Sequence, residues 1–406
     1  MPVKNTTNTV VAILYCIYAV LLLAIGLYVA NKMSLKSKRC NILKEVYEDL
    51  DGELSSIVPS QLNLTSATTG CGDGAGGGKG MYECALLRDY YIKTAHNCCA
   101  VGAYKNSFVS LCALDKCLGQ GFRCLDFEIY SIDDKPVVAV SSLGTDLHQL
   151  EPVTNYYIKE SYNSIPFDKV LTRLKLNAFS STACPNPADP LFLHLRIKSS
   201  SIKVCNAMGA MIRKIIEPGG YLLPSSASCG GGGCGGNALS KNVGEVPIVQ
   251  LMGKIVIIAD IDTSTTFRDA KTSLFEFVNI VSGGTFMTVE RYTAVKNGDI
   301  TQNAELNKKN LSIVLPDVSP RDDNFDPYVC FNSGIQFIGM NVQNYDANLE
   351  YYNAKFGDAG KAIMLKPKDQ RIGILETKRI DKIDAANNTG AQVTTDYLVP
   401  GGAIIL

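Results

Sequence analysis

The chain is predicted to fold as an α/β barrel of eight parallel strands behind one N-terminal transmembrane helix. Three observations predict it. Val10 to Ala30 is 21 residues without a charge. Beyond it, near-continuous apolar strand-like runs alternate with amphipathic, helix-like runs, the pattern of a parallel sheet covered by helices. The stretch from Met81 to Pro367 has the length of a TIM-type (β/α)8 barrel.

The anchor comes first. About 20 apolar residues span a bilayer core, and a cleaved signal peptide usually has a shorter apolar stretch. Lys4 stands upstream; Lys32, Lys36, Lys38 and Arg39 stand downstream. The denser basic flank predicts that the C-terminal bulk faces the cytosol. A short tail (1–9) precedes the anchor (10–30), and a juxtamembrane stalk with a Gly-rich linker (31–80) follows it.

The barrel is expected over 81–367 and a C-terminal tail over 368–406. Expected strands are Arg123–Tyr130, Pro136–Val140, Leu191–Ile197, Lys254–Ala259 and Gln336–Asn341. Expected helices are Ser107–Leu118, Phe167–Phe179, Val204–Ile216 and Thr272–Ile280. The glycine runs at 70–80 and Cys229–Asn237 read as loops. The first misses the phosphate-loop pattern, with Asp73 at the first glycine position and Gly80 after Lys79.

Composition narrows the function. Lys plus Arg number 39 and Asp plus Glu 39, so no net positive field favours nucleic acid. The 14 cysteines show no zinc-ligand spacing. Scattered through apolar runs, they read as reduced, mostly buried thiols. Only His96, His148 and His194 are available for imidazole chemistry.

Polar groups gather where barrel strands would end. His96 and Asn97 close YYIKTAHN. Asp126 and Glu128, two apart in GFRCLDFEIY, share one strand face, as do His194 and Arg196 in DPLFLHLRIKS. Two inward carboxylates are costly unless they hold a cation or share a proton, and Arg196 could supply the balancing charge. Such a cluster serves equally as a structural ion network.

Taken in order, these segments resemble the X and Y halves of phosphoinositide-specific phospholipase C over residues 88–367. YYIKTAHN resembles its strand ending in SHN, and GFRCLDFEIY its GCRC-(L/V)-E-L-D segment. DPLFLHLRIKSS resembles its P-V-I-L-S-L-E-N strand, and LMGKIVIIAD its GKIL(I/V)K strand. The segment from NSGIQFIGMNVQ to AIMLKP resembles its C-terminal end. The resemblance implies a PLC-like phosphodiesterase fold, with His96 as the first catalytic histidine, Asp126 at the position of the catalytic base, both vestigial unless Arg196 and His148 complete the site, and Asn97, Asp126 and Glu128 at calcium positions. Asp126 and Glu128 stand with their types exchanged relative to the family. The second catalytic histidine falls on Ser141 or Ser142, a carboxylate ligand on Arg196, and a phosphate-contacting arginine on Ile313.

These departures predict a barrel without turnover and without a bound cofactor; calcium would be needed only by an active enzyme. The alternative is a metal-independent phosphodiesterase. There Arg196 replaces calcium, as in bacterial relatives, and His148 from an inserted loop serves as acid. A third possibility is a lipid head-group binder using Lys198 and Lys203. Anchor plus degenerate barrel also resembles minor capsid proteins of large DNA viruses with an internal membrane. By that analogy the partners are the bilayer and other capsid or membrane-associated proteins, at the interface of membrane and capsid.

Overall fold

A computed structural model describes residues 3–54, 85–143, 157–223, 242–260 and 272–372, with two short strands near the C-terminus. His148, both glycine runs and most of the C-terminal tail lie outside the described residues.

The first element, α1 (Val3–Leu54), is one helix of 52 residues. By length and composition it can cross a membrane, and its side chains from Val10 to Ala30 are all exposed. The helix does not stop at Ala30. It continues through the juxtamembrane stretch and docks on the barrel, where Leu43 and Tyr47 are buried.

The barrel strands follow: β1 (Tyr90–Ala95), β2 (Cys124–Ile132), the antiparallel additions β3 (Lys135–Ala139) and β4 (Ile165–Pro166), β5 (Leu191–Lys198), β6 (Ile255–Asp260), β7 (Ile280–Ser282), β8 (Met287–Arg291), β9 (Leu311–Leu315) and β10 (Phe337–Met340). The short β11 (Ile363–Leu365) pairs antiparallel with β1. Eight strands run parallel in the order β7-β6-β5-β2-β1-β10-β9-β8. The barrel is nearly closed: β7 and β8 lie side by side without pairing in the sheet, and a bridge between Gly284 and Met287 ties the turn that joins them.

The helices of the outer layer are α2 (Leu111–Gly119), α3 (Phe167–Asn177), α4 (Ile202–Ile215), α5 (Tyr292–Asn297), α6 (Ile300–Lys309), α7 (Tyr328–Asn332) and α8 (Ala347–Asp358). Strand residues alternate between two apolar layers. Ile92, Phe192, Val256, Ile258, Ile313 and Phe337 belong to the cluster that fills the barrel. Tyr91, Ala95, Leu193, Leu195 and Ile257 join the cluster beneath the helices. This two-sided burial explains the unbroken apolar strands.

Two expected helices are corrected. The first begins at Leu111, not Ser107, because the Ser110 side chain caps it by accepting from the Cys112 N–H, while Val109 bridges to Ala100. Thr272–Ile280 is not a helix. It holds a 3-10 turn at Phe275–Phe277 and leads into β7. Asn279 decides this: its side chain accepts from Ile257 N–H at 2.9 Å and its own N–H donates to Ile257 O at 2.9 Å, pulling it into the sheet.

The cysteine expectation is corrected at one pair. Cys40 and Cys112 form a disulfide with Cα atoms 6.1 Å apart, a separation suited to the bond. The crossing of α1 over the N-terminus of α2 brings them together. The other eight described cysteines are free, and all but Cys16 are buried.

Beyond Arg371 a separate compact unit spans Ile372–Leu406. Within it Tyr397–Leu398 pairs antiparallel with Ile404–Ile405.

Candidate functional site

The barrel mouth is built at the C-terminal ends of the strands, where barrel enzymes place their sites. His96 follows the last residue of β1, and its N–H donates to Met340 O at 2.8 Å. Asn97 then turns the chain at φ 46°, a left-handed conformation that asparagine tolerates better than most residues. Its N–H donates to Asp126 Oδ2 at 3.1 Å.

On the neighbouring strands, Asp126 lies beside His194 and Glu128 beside Arg196 in parallel register. The period of two aims all four into the barrel. Arg196 Nε donates to Asp126 Oδ1 at 2.8 Å and Nη2 to Asp126 Oδ2 at 2.7 Å. Nη1 donates to Glu128 Oε1 at 2.7 Å, and Nη2 also to Asn97 Oδ1 at 2.8 Å. Four of the five guanidinium N–H groups are therefore committed, on a side chain only 3% exposed.

The carboxylates are fully engaged too. Asp126 also meets His96 Nδ1 at 2.7 Å and His194 Nδ1 at 2.8 Å. Glu128 Oε2 accepts from the Tyr130 hydroxyl at 2.8 Å and Ser141 N–H at 3.1 Å. His194 Nε2 lies 2.9 Å from Ser282 Oγ.

Charge follows from this geometry. Burial opposes ionisation of Asp126, but Arg196, His96 and His194 outweigh it and hold its carboxyl well below the usual range. Burial also opposes the Arg196 charge, and the two carboxylates reverse this and raise its pKa. For His96, burial dominates and lowers its pKa to about 4 despite the pull of Asp126. His96 is thus neutral at pH 7. An ionised carboxylate only accepts, so the His96 proton sits on Nδ1. Its Nε2 faces the Asn97 amide at 3.3 Å.

Ser141 and Ser142, where the sequence resemblance puts the second histidine, follow the end of β3. Glu160 accepts from Ser142 N–H at 2.8 Å, from Ser141 Oγ at 3.3 Å, and from the Ser142 hydroxyl. Burial opposes its ionisation, but the Ser142 and Lys105 contacts prevail and lower its pKa, so it is no proton donor at neutral pH. Ile313 is buried in the barrel filling. Of the two lysines, Lys198 reaches the mouth, with Nζ 5.9 Å from the Tyr157 ring centre. Lys203 instead pairs with Asp134 at 2.8 Å on the exposed surface.

Three participants were not visible in the sequence. Arg291, at the end of β8, donates to Pro316 O at 2.7 Å. Burial lowers its pKa, and Arg196 lowers it further, which places a second guanidinium within electrostatic reach of the first. Ser282 and Glu160 are the others. The polar Glu290-Arg291 end of an otherwise short strand is the one signal that could have drawn notice.

The family model for the Y domain of phosphatidylinositol-specific phospholipase C matches residues 262–369. Among solved structures, PLC21 of L. pealei aligns at 17% identity and TM-score 0.53, covering 71% of this chain and 38% of that one. The chain carries a phosphatidylinositol-specific phospholipase C-type barrel. PLC21 of S. officinalis aligns at 16% identity and TM-score 0.53 with the same coverage. A calcium-dependent phosphoinositol-specific phospholipase C from a Pseudomonas sp. aligns at 15% identity and TM-score 0.43, covering 70% of this chain and 96% of that one. The PLC-like chain thus matches less than two fifths of the length of the two PLC21 proteins. No curated protein sequence matches it.

Proposed function

We propose that this protein is a membrane-anchored, non-catalytic PLC-like barrel with a structural or docking role. One observation carries the reading: Arg196 bridges Asp126, Glu128 and Asn97, the positions from which family members would ligate calcium. These residues do not fit calcium. The ion needs several free oxygen ligands, and these oxygens already accept from a guanidinium. At about 4 Å and an effective dielectric of about 20, a divalent ion beside Arg196 would meet roughly 8 kcal/mol of repulsion.

The proton chemistry points the same way. The neutral His96 has no proton on the nitrogen that meets Asn97, and the place where the resemblance puts the second histidine holds serines bound to an anionic Glu160. Loss of a general acid alone typically costs about 10²–10⁴-fold in rate. A barrel kept for its shape, tied to a membrane by α1, suits a protein that links a bilayer to a protein layer. A minor capsid protein joining an internal virion membrane to its shell is the specific form of that role we favour.

The test uses the full chain in mixed micelles with phosphatidylinositol, with and without calcium, scored by released inositol phosphate. The expected result is no release in either condition. Calcium-independent release abolished by His96→Ala would establish the arginine-dependent phosphodiesterase instead.

A further inference from the structure

Two helices each carry a cysteine with a lysine one turn further on. Cys40 and Lys44 stand four apart in α1, and Cys112 and Lys116 four apart in α2. That spacing puts each pair on one helix face. Where α1 crosses the start of α2, the two faces meet. Cys40 and Cys112 join as a disulfide, and both are half-buried rather than enclosed. A cavity of about 470 Å³ opens beside the bond, lined by both cysteines, Asn41, Lys44, Asp115 and Lys116. Pockets that hold small molecules run from about 300 to 1,000 Å³.

The charge around this cavity is uneven. Asp115 is engaged elsewhere: it accepts from Asn177 Nδ2 at 2.9 Å and lies 3.7 Å from Arg173 Nε. Lys44 lies 3.2 Å from Glu48, with both side chains largely exposed, a pairing of little strength in water. Lys116 Nζ sits 5.9 Å from the Tyr47 ring centre. Two ammonium groups thus line the cavity against one carboxylate that Arg173 already balances. The two sulfurs also differ. Cys112 is the second residue of α2, and its N–H donates to Ser110 Oγ at 3.4 Å. A thiolate in the first turn of a helix is stabilised, so Cys112 is the better leaving group. Cys40 lies far from either end of α1.

We propose that the Cys40–Cys112 bond is a thiol-exchange site for a small anionic thiol of the glutathione class, seated in this cavity. The thiolate of the small molecule attacks Cys40 Sγ. A new S–S bond forms to Cys40, the Cys40–Cys112 bond breaks, and its electron pair leaves on Cys112 Sγ, which takes a proton from water. A second thiolate then attacks the sulfur of the bound molecule, which departs as a small disulfide, and Cys40 Sγ takes a proton from water. Two thiols are consumed and two cysteine thiols are formed. Opening the bond unties α1 from α2, while the buried Leu43 and the Tyr47 hydroxyl, donated to Val342 O at 2.7 Å, hold α1 on the barrel independently of it.

The test treats the full chain, in uncharged detergent micelles, with glutathione or with its diester, which carries the same thiol with both carboxylates masked. Samples are quenched in acid and alkylated, then mapped for the linked Cys40–Cys112 peptide and for adducts. Circular dichroism of the same samples follows the fold. The expected result is opening in the folded chain, about three- to tenfold faster per thiolate with glutathione than with the diester, and an adduct on Cys40. In the Lys44→Gln, Lys116→Gln double variant the ratio of the two rates falls to about one. The comparison of the two thiols in the parent chain needs no variant. A bond that persists until the chain unfolds, equal rates for the two thiols in the parent chain, or an adduct on Cys112 would each overturn the proposal. So would a rate ratio unchanged in a folded double variant.

Discussion

Arg196 grips Asp126 with two nitrogens at once, Nε at 2.8 Å and Nη2 at 2.7 Å, with both side chains buried at the barrel mouth. A planar fork meeting a carboxylate side-on is the arrangement for which arginine and lysine are least interchangeable. The same guanidinium also reaches Glu128 and Asn97, so one side chain balances two buried anions.

Removing that side chain should be costly. Arg196→Met leaves Asp126 and Glu128 buried without their cation. Breaking a buried pair in this way typically costs about 3–5 kcal/mol. Arg196→Lys should recover only part of the loss, because an ammonium cannot span both carboxylates. Denaturant unfolding of the full chain in detergent measures both.

Acid should weaken the fold in two stages. The folded His96 pKa is lowered to about 4, against about 6.5 unfolded. As pH falls below about 6.5 the unfolded chain takes up a proton that the folded chain refuses. Stability then declines by up to about 3 kcal/mol until pH reaches about 4, where this contribution stops changing. Asp126 is depressed in the folded state. Its contribution is complete above the unfolded value of about 3.9 and is lost at still lower pH. His96→Asn should flatten the first stage and leave the second, read from unfolding midpoints across pH.

Peptide mapping under non-reducing conditions should recover Cys40 joined to Cys112, with Cys98, Cys99, Cys117, Cys124, Cys184, Cys205 and Cys330 alkylated only after unfolding. The bond closes a separation of 72 residues, and Cys112→Ser should lower stability by about 2–4 kcal/mol. This disulfide is at odds with the cytosolic placement drawn from the basic flank of the anchor, since cytosolic proteins rarely keep such bonds. Protease protection in sealed membranes reads the orientation directly.

Gly209 in α4 offers a steric test. A Cβ there would lie 2.5 Å from the Ser273 carbonyl carbon and 2.6 Å from Leu274 N. Alanine normally stabilises a helix interior relative to glycine. Here the clash is with backbone, so Gly209→Ala should instead destabilise by about 1–3 kcal/mol, measured by thermal unfolding.

The sequence revealed what local pattern encodes. Strands β2, β5 and β6 stood out because burial on both faces leaves unbroken apolar runs. Asp126, Glu128, His194 and Arg196 were legible as one cluster because a period of two assigns them a common face. The short β7 escaped notice, since a few apolar residues read as readily as helix, and Asn279 settles the matter only through its bonds to Ile257. Ser282 and Arg291 reach the site through barrel closure, and Glu160 through a loop in which its own N–H donates to Val140 O; no local spacing reports either. The Cys40–Cys112 bond was equally silent, because it depends on how α1 crosses α2.

Calorimetric titration of calcium into the full chain in detergent micelles tests the central claim most directly. With the guanidinium of Arg196 seated among Asn97, Asp126 and Glu128, no heat of binding is expected. Saturable binding of one calcium ion per chain, lost in Asp126→Asn, would contradict it.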